Sequence, residues 1–169
     1  MPIPILEVAG YEADDVIGTL ATEAGRQGII TYMMTPDKDY GQLVSDKVFM
    51  YRPKHTGGFE VMGVDEVKAK FDIQSPAQVI DMLGLMGDSS DNIPGCPGVG
   101  EKTAQKLIAE FGSIENLLEH TDQLKGALKT KVETNREMIT FSKFLATIKI
   151  DVPIQLDMDS LVREQADED

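Results

Sequence analysis

The sequence predicts an α/β fold in which a parallel sheet is followed by a helical subdomain. In the first half of the chain, short apolar runs rich in β-branched and aromatic residues alternate with stretches of helical spacing, which is the order of a parallel sheet with crossover helices. After Lys102 the apolar spacing is almost wholly helical. Three clusters of carboxylates also begin where apolar runs end, and ligand sites gather at such points in α/β folds.

The elements of the first half follow from apolar spacing and from turn residues. Strands are predicted at 3–8, 29–35, 47–51 and 59–62, the second of them buried. Helices are predicted at 13–28, 37–43, 64–71 and 75–86. Gly28 favours the end of the first helix, Asp37 and Ser75 are N-cap residues, and glycines 57 and 58 predict a turn between two strands. Only these few strands precede the helical half, so the sheet looks incomplete at its start.

The second half is predicted to be helical, with a possible return strand. Helices are expected at 102–111, 113–119 and 128–145, and a strand at 146–150. The chain is therefore divided into an α/β part at 1–92, a helical part at 93–150 that enters through a glycine hairpin, and an acidic tail or linker at 151–169.

Composition limits the class of protein. The chain has 169 residues, 41% of them hydrophobic, which suffices for a packed core. Its one cysteine, Cys96, excludes an internal disulfide and a cysteine-based zinc cluster, and fits a reducing cytoplasm. No apolar run reaches transmembrane length. The net charge of −13 argues against nucleic-acid binding by the chain as a whole. Residues 93–150 are the exception, because this segment carries one more basic than acidic side chain.

Seven carboxylates form the three clusters, and each cluster has two interpretations. The residues are Glu12, Asp14, Asp15, Asp37, Asp39, Asp88 and Asp91. Taken singly, the clusters are ordinary helix caps or polar turns, because acidic side chains are favoured in the first turn of a helix. Taken together, they point into one crevice, where two divalent ions would need about this many ligands to drive phosphodiester hydrolysis. An unrelated acidic protein with surface carboxylates remains the third alternative.

The glycine hairpin that follows the third cluster is the second functional signal. Gly98, Val99 and Gly100 precede a helix that carries Lys102, Thr103 and Lys106. Glycines let a phosphate approach the backbone, and the helix start offers free N–H groups. A tight turn with glycines for steric reasons is the simple alternative. The full pattern is typical of a helix-hairpin-helix that holds a DNA backbone without reading bases.

These motifs together resemble the 5′-nuclease (5′→3′ exonuclease) domain of bacterial DNA polymerase I, a relative of flap endonucleases and phage 5′-nucleases. The matching segments are 10–17 (GYEADDVI), 35–43 (TPDKDYGQL), 86–95 (MGDSSDNIPG) and 98–104 (GVGEKTA). They occur in the family's order with comparable spacings, and the resemblance extends to about residue 155.

The resemblance implies a PIN-like nuclease core with a helix-three-turn-helix subdomain. By position, Glu12, Asp14 and Asp15 match acids of the first metal site and act in catalysis. Asp37, Asp39, Asp88 and Asp91 match acids of the second site. The implied cofactors are two Mg²⁺ or Mn²⁺ ions, and K⁺ at the hairpin, as in several relatives.

The resemblance also implies partners and a departure from the family. The expected substrates are duplex and flap DNA and RNA primer–DNA junctions, in the bacterial cytoplasm at the nucleoid, with polymerase domains in the same full-length chain. In the family an earlier segment supplies the first strand, further acids and a basic helical arch. The sequence is therefore expected to be N-terminally truncated and inactive as an isolated fragment. A non-catalytic DNA-binding module that uses only the hairpin is the alternative function.

Overall fold

The computed structural model describes residues 3–163, and its sheet lies in the first half of the chain. The three strands found in that range are β1 (Thr31–Met34), β2 (Val48–Pro53) and β3 (Phe59–Met62), in this spatial order. β1 and β2 are parallel, whereas β2 and β3 form an antiparallel hairpin. The predicted α/β class is confirmed, and the sheet is mixed because β3 returns through the predicted glycine turn.

Helices make up most of the remaining structure. Between residues 3 and 163 the α-helices are α1 (Ala13–Arg26), α2 (Val64–Phe71), α3 (Val79–Met86), α4 (Glu101–Phe111), α5 (Ile114–Glu119), α6 (Gly126–Thr134), α7 (Arg136–Ala146) and α8 (Met158–Leu161). Short 3₁₀ helices span Lys38–Leu43, Pro76–Gln78 and Thr121–Gln123. None of the helices in this part of the chain is both long and apolar enough to cross a membrane.

Capping side chains fix where several of these helices begin. Asp37 accepts a hydrogen bond from the N–H of Asp39 at 2.9 Å, and Ser75 accepts one from the N–H of Ala77 at 3.3 Å. Ser113 likewise caps α5. The predicted caps at Asp37 and Ser75 are therefore confirmed, because each side chain satisfies an N–H group that the helix leaves free.

One hydrophobic core extends from the sheet to the helices of the second half. At its centre lies α3, whose Met82, Leu83 and Leu85 have no exposed surface. This helix packs mainly against α7 and α4. Because the buried cluster also includes Val48 of β2 and Ile139 of α7, the sheet and the second half share the same interior.

Two predicted strands are absent from the part of the chain described here. Residues 3–8 are irregular, and Ile5 is exposed, because no described strand lies beside this segment to pair with it. Residues 146–150 do not form a strand: Ala146 ends α7, the N–H of Thr147 donates to carbonyls of that helix, and side chains satisfy the next two N–H groups. The N–H of Ile148 donates to Gln42 Oε1 at 2.9 Å, and the N–H of Lys149 donates to Asp15 Oδ1 at 3.0 Å.

The predicted buried strand at 29–35 is shorter and more exposed than expected. β1 alternates its side chains between two faces. Met33 points into the core, whereas Tyr32 and Met34 are 57% and 72% exposed. On that open face Tyr32 stacks on Phe49 of the neighbouring strand, at 5.6 Å between ring centroids.

The predicted helix at 128–145 is two helices, and the predicted tail is only partly described. Asn135 separates α6 from α7, and its Nδ2 donates to the carbonyl of Lys131 at 2.8 Å, so the side chain caps the first of the two. Residues 151–163 are irregular except for α8, and residues 164–169 lie outside the described range. The three-part division of the chain stays a prediction.

Candidate metal centre

Six of the seven predicted carboxylates line one cleft of about 400 Å³. They come from three segments that are distant in sequence: the start of α1, the turn after β1 and the loop after α3. The predicted acids in the cleft are Glu12, Asp14, Asp15, Asp37, Asp39 and Asp91. The opposite wall is formed by residues 145–148, at the end of α7.

Chain topology explains why these segments meet. α1 and β1 are joined by a short turn and pack against each other, so the start of α1 returns to the carboxyl end of β1. Asp37 and Asp39 follow β1 directly at that same end. The loop after α3 carries Asp91 to the same place, because Asp88 and Ile93 pair their backbones in both directions at 2.8 Å and hold this loop closed. The predicted convergence of the three clusters in one crevice is thus found for six acids.

Asp37, Asp39 and Asp91 come closest together. Each offers a carboxylate oxygen, and these three oxygens lie within 4.8 Å of one another. Among residues 3–163 this is the one group of three or more acidic, histidine or cysteine side chains with such geometry. Three carboxylates at this separation repel one another unless a proton or a cation joins them.

Asp39 bears most of that repulsion. Only 9% of the residue is exposed, and its Oδ1 is buried without a hydrogen-bond partner. Burial, followed by the neighbouring charges of Asp37 and Asp91, raises the pKa of Asp39 to about 7. A buried acceptor without a donor is unfavourable, and a bound cation would satisfy it. The donor set consists of hard oxygens, so the site fits a divalent metal ion.

Asp37 serves both as a cap and as a member of the group. Its Oδ1 accepts from the N–H of Asp39, while its own N–H donates to Thr35 Oγ1 at 3.1 Å. These bonds orient the turn between β1 and the 3₁₀ helix. The cap interpretation and the metal interpretation therefore apply to the same residue.

The acids at the start of α1 face the same cleft but are held differently. Asp15 accepts from two backbone N–H groups, that of Lys149 at 3.0 Å and that of Glu12 at 3.4 Å. It thereby joins the start of α1 to the segment after α7. Tyr40 lies buried between these acids and the Asp37 turn, and burial followed by the charges of Asp14 and Asp37 raises its pKa to about 12.

Asp88, the seventh predicted acid, does not line this cleft, although it borders an adjoining depression together with Asp37 and Asp91. It forms a salt bridge with Lys38, and its other oxygen accepts from the N–H of Ser90 at 3.0 Å. Burial opposes its ionisation, but the hydrogen bonds from Lys38 and Ser90 prevail and lower the pKa of Asp88 to about 2. Asp88 is thus occupied by protein partners, and it fixes the loop that presents Asp91.

Two residues of the site were not predicted from the sequence. Lys38 was missed, although its position between two acids was a signal for an ion pair. Gln42 was missed as well, although it lies in the segment 35–43 that carries part of the family resemblance. Its Nε2 donates to the carbonyl of Ala146 at 2.7 Å, and its Oε1 accepts from the N–H of Ile148. Gln42 therefore attaches the far wall of the cleft to the helix that carries Asp39.

The predicted glycine hairpin leads into α4. Val99 is buried, Gly100 is the N-cap of α4, and Lys102 and Lys106 are exposed on the helix, with Thr103 partly buried. Gly98 has φ of +82°, and a Cβ there would lie 2.9 Å from Lys131 Nζ. Lys131, on α6, therefore adds a third exposed cation that the sequence did not reveal as part of the hairpin.

Comparison with known proteins assigns the chain to a family. Residues 1–72 match the 5′-3′ exonuclease N-terminal resolvase-like domain, and residues 74–169 match the 5′-3′ exonuclease C-terminal SAM fold. The chain belongs to the 5′-3′ exonuclease family. The resemblance stated from the motifs is thereby confirmed.

Relatives with similar sequences are bacterial DNA polymerases I. The chain is 42% identical to that of Bacillus caldotenax over 98% of its length, and 47% identical to that of Bacillus subtilis (strain 168) over 92%. It is 43% identical over 96% of its length to the thermostable DNA polymerase I of Thermus filiformis. The chain spans only 18–19% of the length of these three relatives.

Solved structures with a similar fold are phage 5′-nucleases. The T5 5′-exonuclease with bound divalent zinc ions superposes with a TM-score of 0.75 at 23% identity, over 85% of this chain and 52% of that one. A complex of the T5 D15 flap endonuclease with DNA and metal ions gives a TM-score of 0.72 at 23% identity, over 83% of this chain and 51% of that one. At this identity the likeness is one of fold.

Proposed function

We propose that this chain provides the metal-binding cleft and the duplex-holding hairpin of a 5′→3′ exonuclease that hydrolyses phosphodiester bonds. The observation that carries the proposal is the group formed by Asp37, Asp39 and Asp91, with the unpartnered buried oxygen of Asp39. Two Mg²⁺ or Mn²⁺ ions are the cofactors that suit these acids. When bound, they supply the positive charge that stabilises a phosphoryl-transfer transition state.

The side chains of the cleft divide into two sets in this proposal. Asp37, Asp39 and Asp91 hold one ion, which is the second site of the family resemblance. Glu12, Asp14 and Asp15 form the part of the first site that this chain contributes. Asp88 acts through Lys38 and Ser90, because both of its oxygens have protein partners. Its role is to place Asp91 rather than to bind metal directly.

The hairpin holds nucleic acid by its backbone in the same proposal. The backbone from Gly98 to Gly100 lies against a phosphate in this proposal, with open space at Gly100, and the start of α4 offers N–H groups to it. Lys102, Thr103 and Lys106 follow on that helix, and Lys131 adds positive charge beside Gly98. Contacts of this kind bind duplex DNA without sequence preference. A K⁺ ion at the hairpin is part of the proposal.

The proposed substrates are 5′ flaps, nicks and RNA primer–DNA junctions, processed during replication and repair. This chain corresponds to less than a fifth of each relative's length, so the longer protein is proposed to carry polymerase domains as well. The proposed location is the bacterial cytoplasm at the nucleoid.

Calorimetric titration with Mn²⁺ tests the metal centre. We expect the double variant Asp37→Asn, Asp91→Asn to lose the heat signal of the strongest site, because it keeps only one carboxylate of the group. The matched control is Asp65→Asn, Asp122→Asn, which changes the charge equally at two exposed positions outside the cleft. Equal Mn²⁺ affinity in wild type and the cleft variant would contradict the assignment of the metal site to these residues.

Binding of a labelled DNA duplex at several salt concentrations tests the hairpin separately. Removing one phosphate-contacting cation should lower the slope of log affinity against log salt by about one ion. Lys102→Ala should therefore weaken binding to all sequences alike and flatten that slope. An unchanged slope would show that α4 does not contact phosphate. Full DNA binding in the Asp37→Asn, Asp91→Asn variant would show that the two sites act independently.

A further inference from the structure

The outer edge of β1 is unpaired among residues 3–163. β1 is the first strand in the spatial order of the sheet, so only β2 lies beside it. The N–H groups of Thr31 and Thr35 donate towards β2, at 2.8 and 3.3 Å. Because successive backbone groups of a strand alternate in direction, those of Tyr32 and Met34 face the open side. This edge therefore offers hydrogen bonds to a further strand.

An apolar groove of about 590 Å³ lies along the same edge. It is bordered by α1, β1 and the segment after α7, and its lining includes Ile17, Leu20, Ile30 and Leu161. Edge strands are usually protected from a second chain by lysine, another charged residue or proline, and residues 29–35 contain none of these. The edge and the groove together therefore fit an extended apolar segment.

Residues 3–8 form a segment of the matching kind. Their sequence, IPILEV, is apolar apart from Glu7, and Ile5 is 90% exposed. In the part of the chain that the structure describes, no backbone–backbone hydrogen bond starts or ends at residues 3–7. The segment ends in a turn at Gly10, whose φ is +85°. One copy of the chain thus carries both an unpaired strand edge and an unpaired apolar segment.

Each feature taken alone has a simple explanation, because single exposed apolar residues are common on protein surfaces. The two features together complement each other. Both are apolar, and the segment of six residues is similar in length to the uncharged stretch of seven residues along the edge. Pairing would also satisfy the backbone groups of both.

We propose that two copies of this chain associate by exchanging residues 3–8, so that the segment of each copy adds a strand beside β1 of the other. The two contacts are related by a two-fold axis, which closes the assembly at a dimer. Pro4 has no N–H group and lies on the outer side of the added strand, so that Ile3 and Ile5 direct their backbone groups to β1. This association is independent of the metal centre and of the hairpin.

Sedimentation velocity of the 169-residue chain, over a series of protein concentrations in EDTA, tests the exchange. The segment variant is Ile5→Asp, Leu6→Asp. It places a charge on each face of the added strand, because adjacent side chains of a strand point to opposite faces. The matched control, Phe141→Asp, Phe144→Asp, adds the same charge at two exposed apolar positions of α7.

The edge variant is Met34→Pro. It removes an N–H group on the open side and keeps those that bond to β2, and proline is tolerated in edge strands. Its control is Met34→Val, which retains the N–H group. The Met34 side chain is 72% exposed, so neither change disturbs the core. Circular dichroism compares the folded content of all variants.

We expect wild type to shift from monomer to dimer as its concentration rises, and both test variants to associate about tenfold more weakly or less. The two controls should associate as wild type does. Amide hydrogen exchange at Tyr32 and Met34 should slow as the dimer forms. Each copy has a net charge of −13, so added KCl should strengthen association by screening the repulsion.

A mixture of the two test variants distinguishes exchange from direct pairing of β1 with β1. The Met34→Pro copy has an intact segment, and the Ile5→Asp, Leu6→Asp copy has an intact edge, so one of the two contacts forms. The mixture should therefore associate about tenfold more strongly than either variant alone.

Wild type that stays monomeric at every concentration would overturn the inference. So would a dimer that the segment variant forms as readily as wild type, or a mixture that associates no better than its components, because the interface would then lie elsewhere. Slow exchange at Tyr32 and Met34 in a monomer would also contradict the exchange, since another part of the same chain would then cover the edge.

Discussion

Asp39 is the residue of the cleft whose environment is most unfavourable for a charged side chain when no metal is bound. Its carboxyl is buried against two other acids, and one oxygen has no donor. Folding without metal therefore favours the protonated form of this side chain, which is why its pKa is raised to about 7. The same arrangement that is unfavourable in the metal-free protein is what a cation stabilises, so stability and metal affinity are linked at this residue.

The pH dependence of stability should report on Asp39 in the metal-free protein. In the unfolded chain this carboxyl releases its proton near pH 4, whereas in the folded protein it does so at about 7. The folded state therefore holds the extra proton between these values, and the contribution of Asp39 to stability decreases as pH rises from about 4 to about 7. Asp39→Asn cannot ionise and should remove this contribution.

Urea unfolding in EDTA at pH 5, 6, 7 and 8 measures the effect. Asp39→Asn should gain stability relative to wild type as the pH rises through this range. The exposed Asp46→Asn, outside the cleft, is the control for a general change in net charge. A constant difference between Asp39→Asn and wild type at all four pH values would contradict the assignment.

The salt bridge between Lys38 and Asp88 supports the loop that carries Asp91. Asp88 is almost fully buried, whereas the Lys38 side chain is about one-third exposed, so solvent screens part of the interaction. Lys38→Met should destabilise the protein by about 1–2 kcal/mol, because a buried carboxylate loses its partner. The double variant Lys38→Met, Asp88→Asn should recover part of this loss. Urea unfolding at pH 7 compares them, and equal stability of Lys38→Met and wild type would refute the role.

At the scale of elements, α7 connects the hairpin segment with the cleft. Ser142 on this helix is fully buried, and its Oγ accepts from the N–H of Gly95 at 2.8 Å while donating to the carbonyl of Met138 at 2.7 Å. Gly95 cannot carry a side chain here, since φ is +66° and a Cβ would lie 2.4 Å from the N of Gly87. The last residues of α7 also form the far wall of the cleft.

Removal of the Ser142 hydroxyl should therefore loosen the start of the hairpin. Ser142→Ala leaves the N–H of Gly95 without its partner in a buried position, which costs about 1–3 kcal/mol. Ser142→Thr keeps the hydroxyl but adds a methyl group in a packed site, so it is a less suitable control than Ser160→Ala in α8. Urea unfolding measures the loss. A change below about 0.5 kcal/mol would mean that water replaces the hydroxyl.

The sequence predicted those helices and turns well whose formation depends on residues close together in the chain. Apolar spacing and caps predicted α1, α2 and α4, and the glycine pair predicted the β2–β3 turn. The prediction failed for 146–150, because a β-rich sequence does not show whether a strand or side chains will satisfy its N–H groups. It also failed to show that β1 has an open face, since exposure depends on what packs on the sheet.

The sequence predicted which acids form the site, but it did not predict which side chains they or their neighbours contact. The sequence showed that acids end three apolar runs, and six of them meet as expected. That Asp88 faces Lys38, and that Gln42 joins the cleft wall, depends on residues 50 to 106 positions apart. Contacts between residues so far apart do not affect the spacing of apolar residues along the chain, so only the folded structure reveals them.

At the scale of the whole molecule, one core spans both segments that match the exonuclease family. α3 lies at the start of the second segment, yet it packs against the 3₁₀ helix that carries Asp39 as well as against α4 and α7. Leu83 is fully buried in this shared core. The cleft therefore depends on an interior to which the sheet, the 3₁₀ helix and the helical half all contribute.

Truncating Leu83 should consequently destabilise both segments together. Leu83→Ala removes a fully buried side chain and leaves a cavity, which costs about 2–5 kcal/mol. If the core is cooperative, amide hydrogen exchange should show β2 and α7 losing protection by the same free energy, because both exchange through one global opening. Met158→Ala, at an exposed position in α8, is the control and should leave both unchanged. Loss of protection in α7 alone would mean that the helical half unfolds separately. In that case the metal centre, whose far wall is the end of α7, would open without unfolding of the sheet.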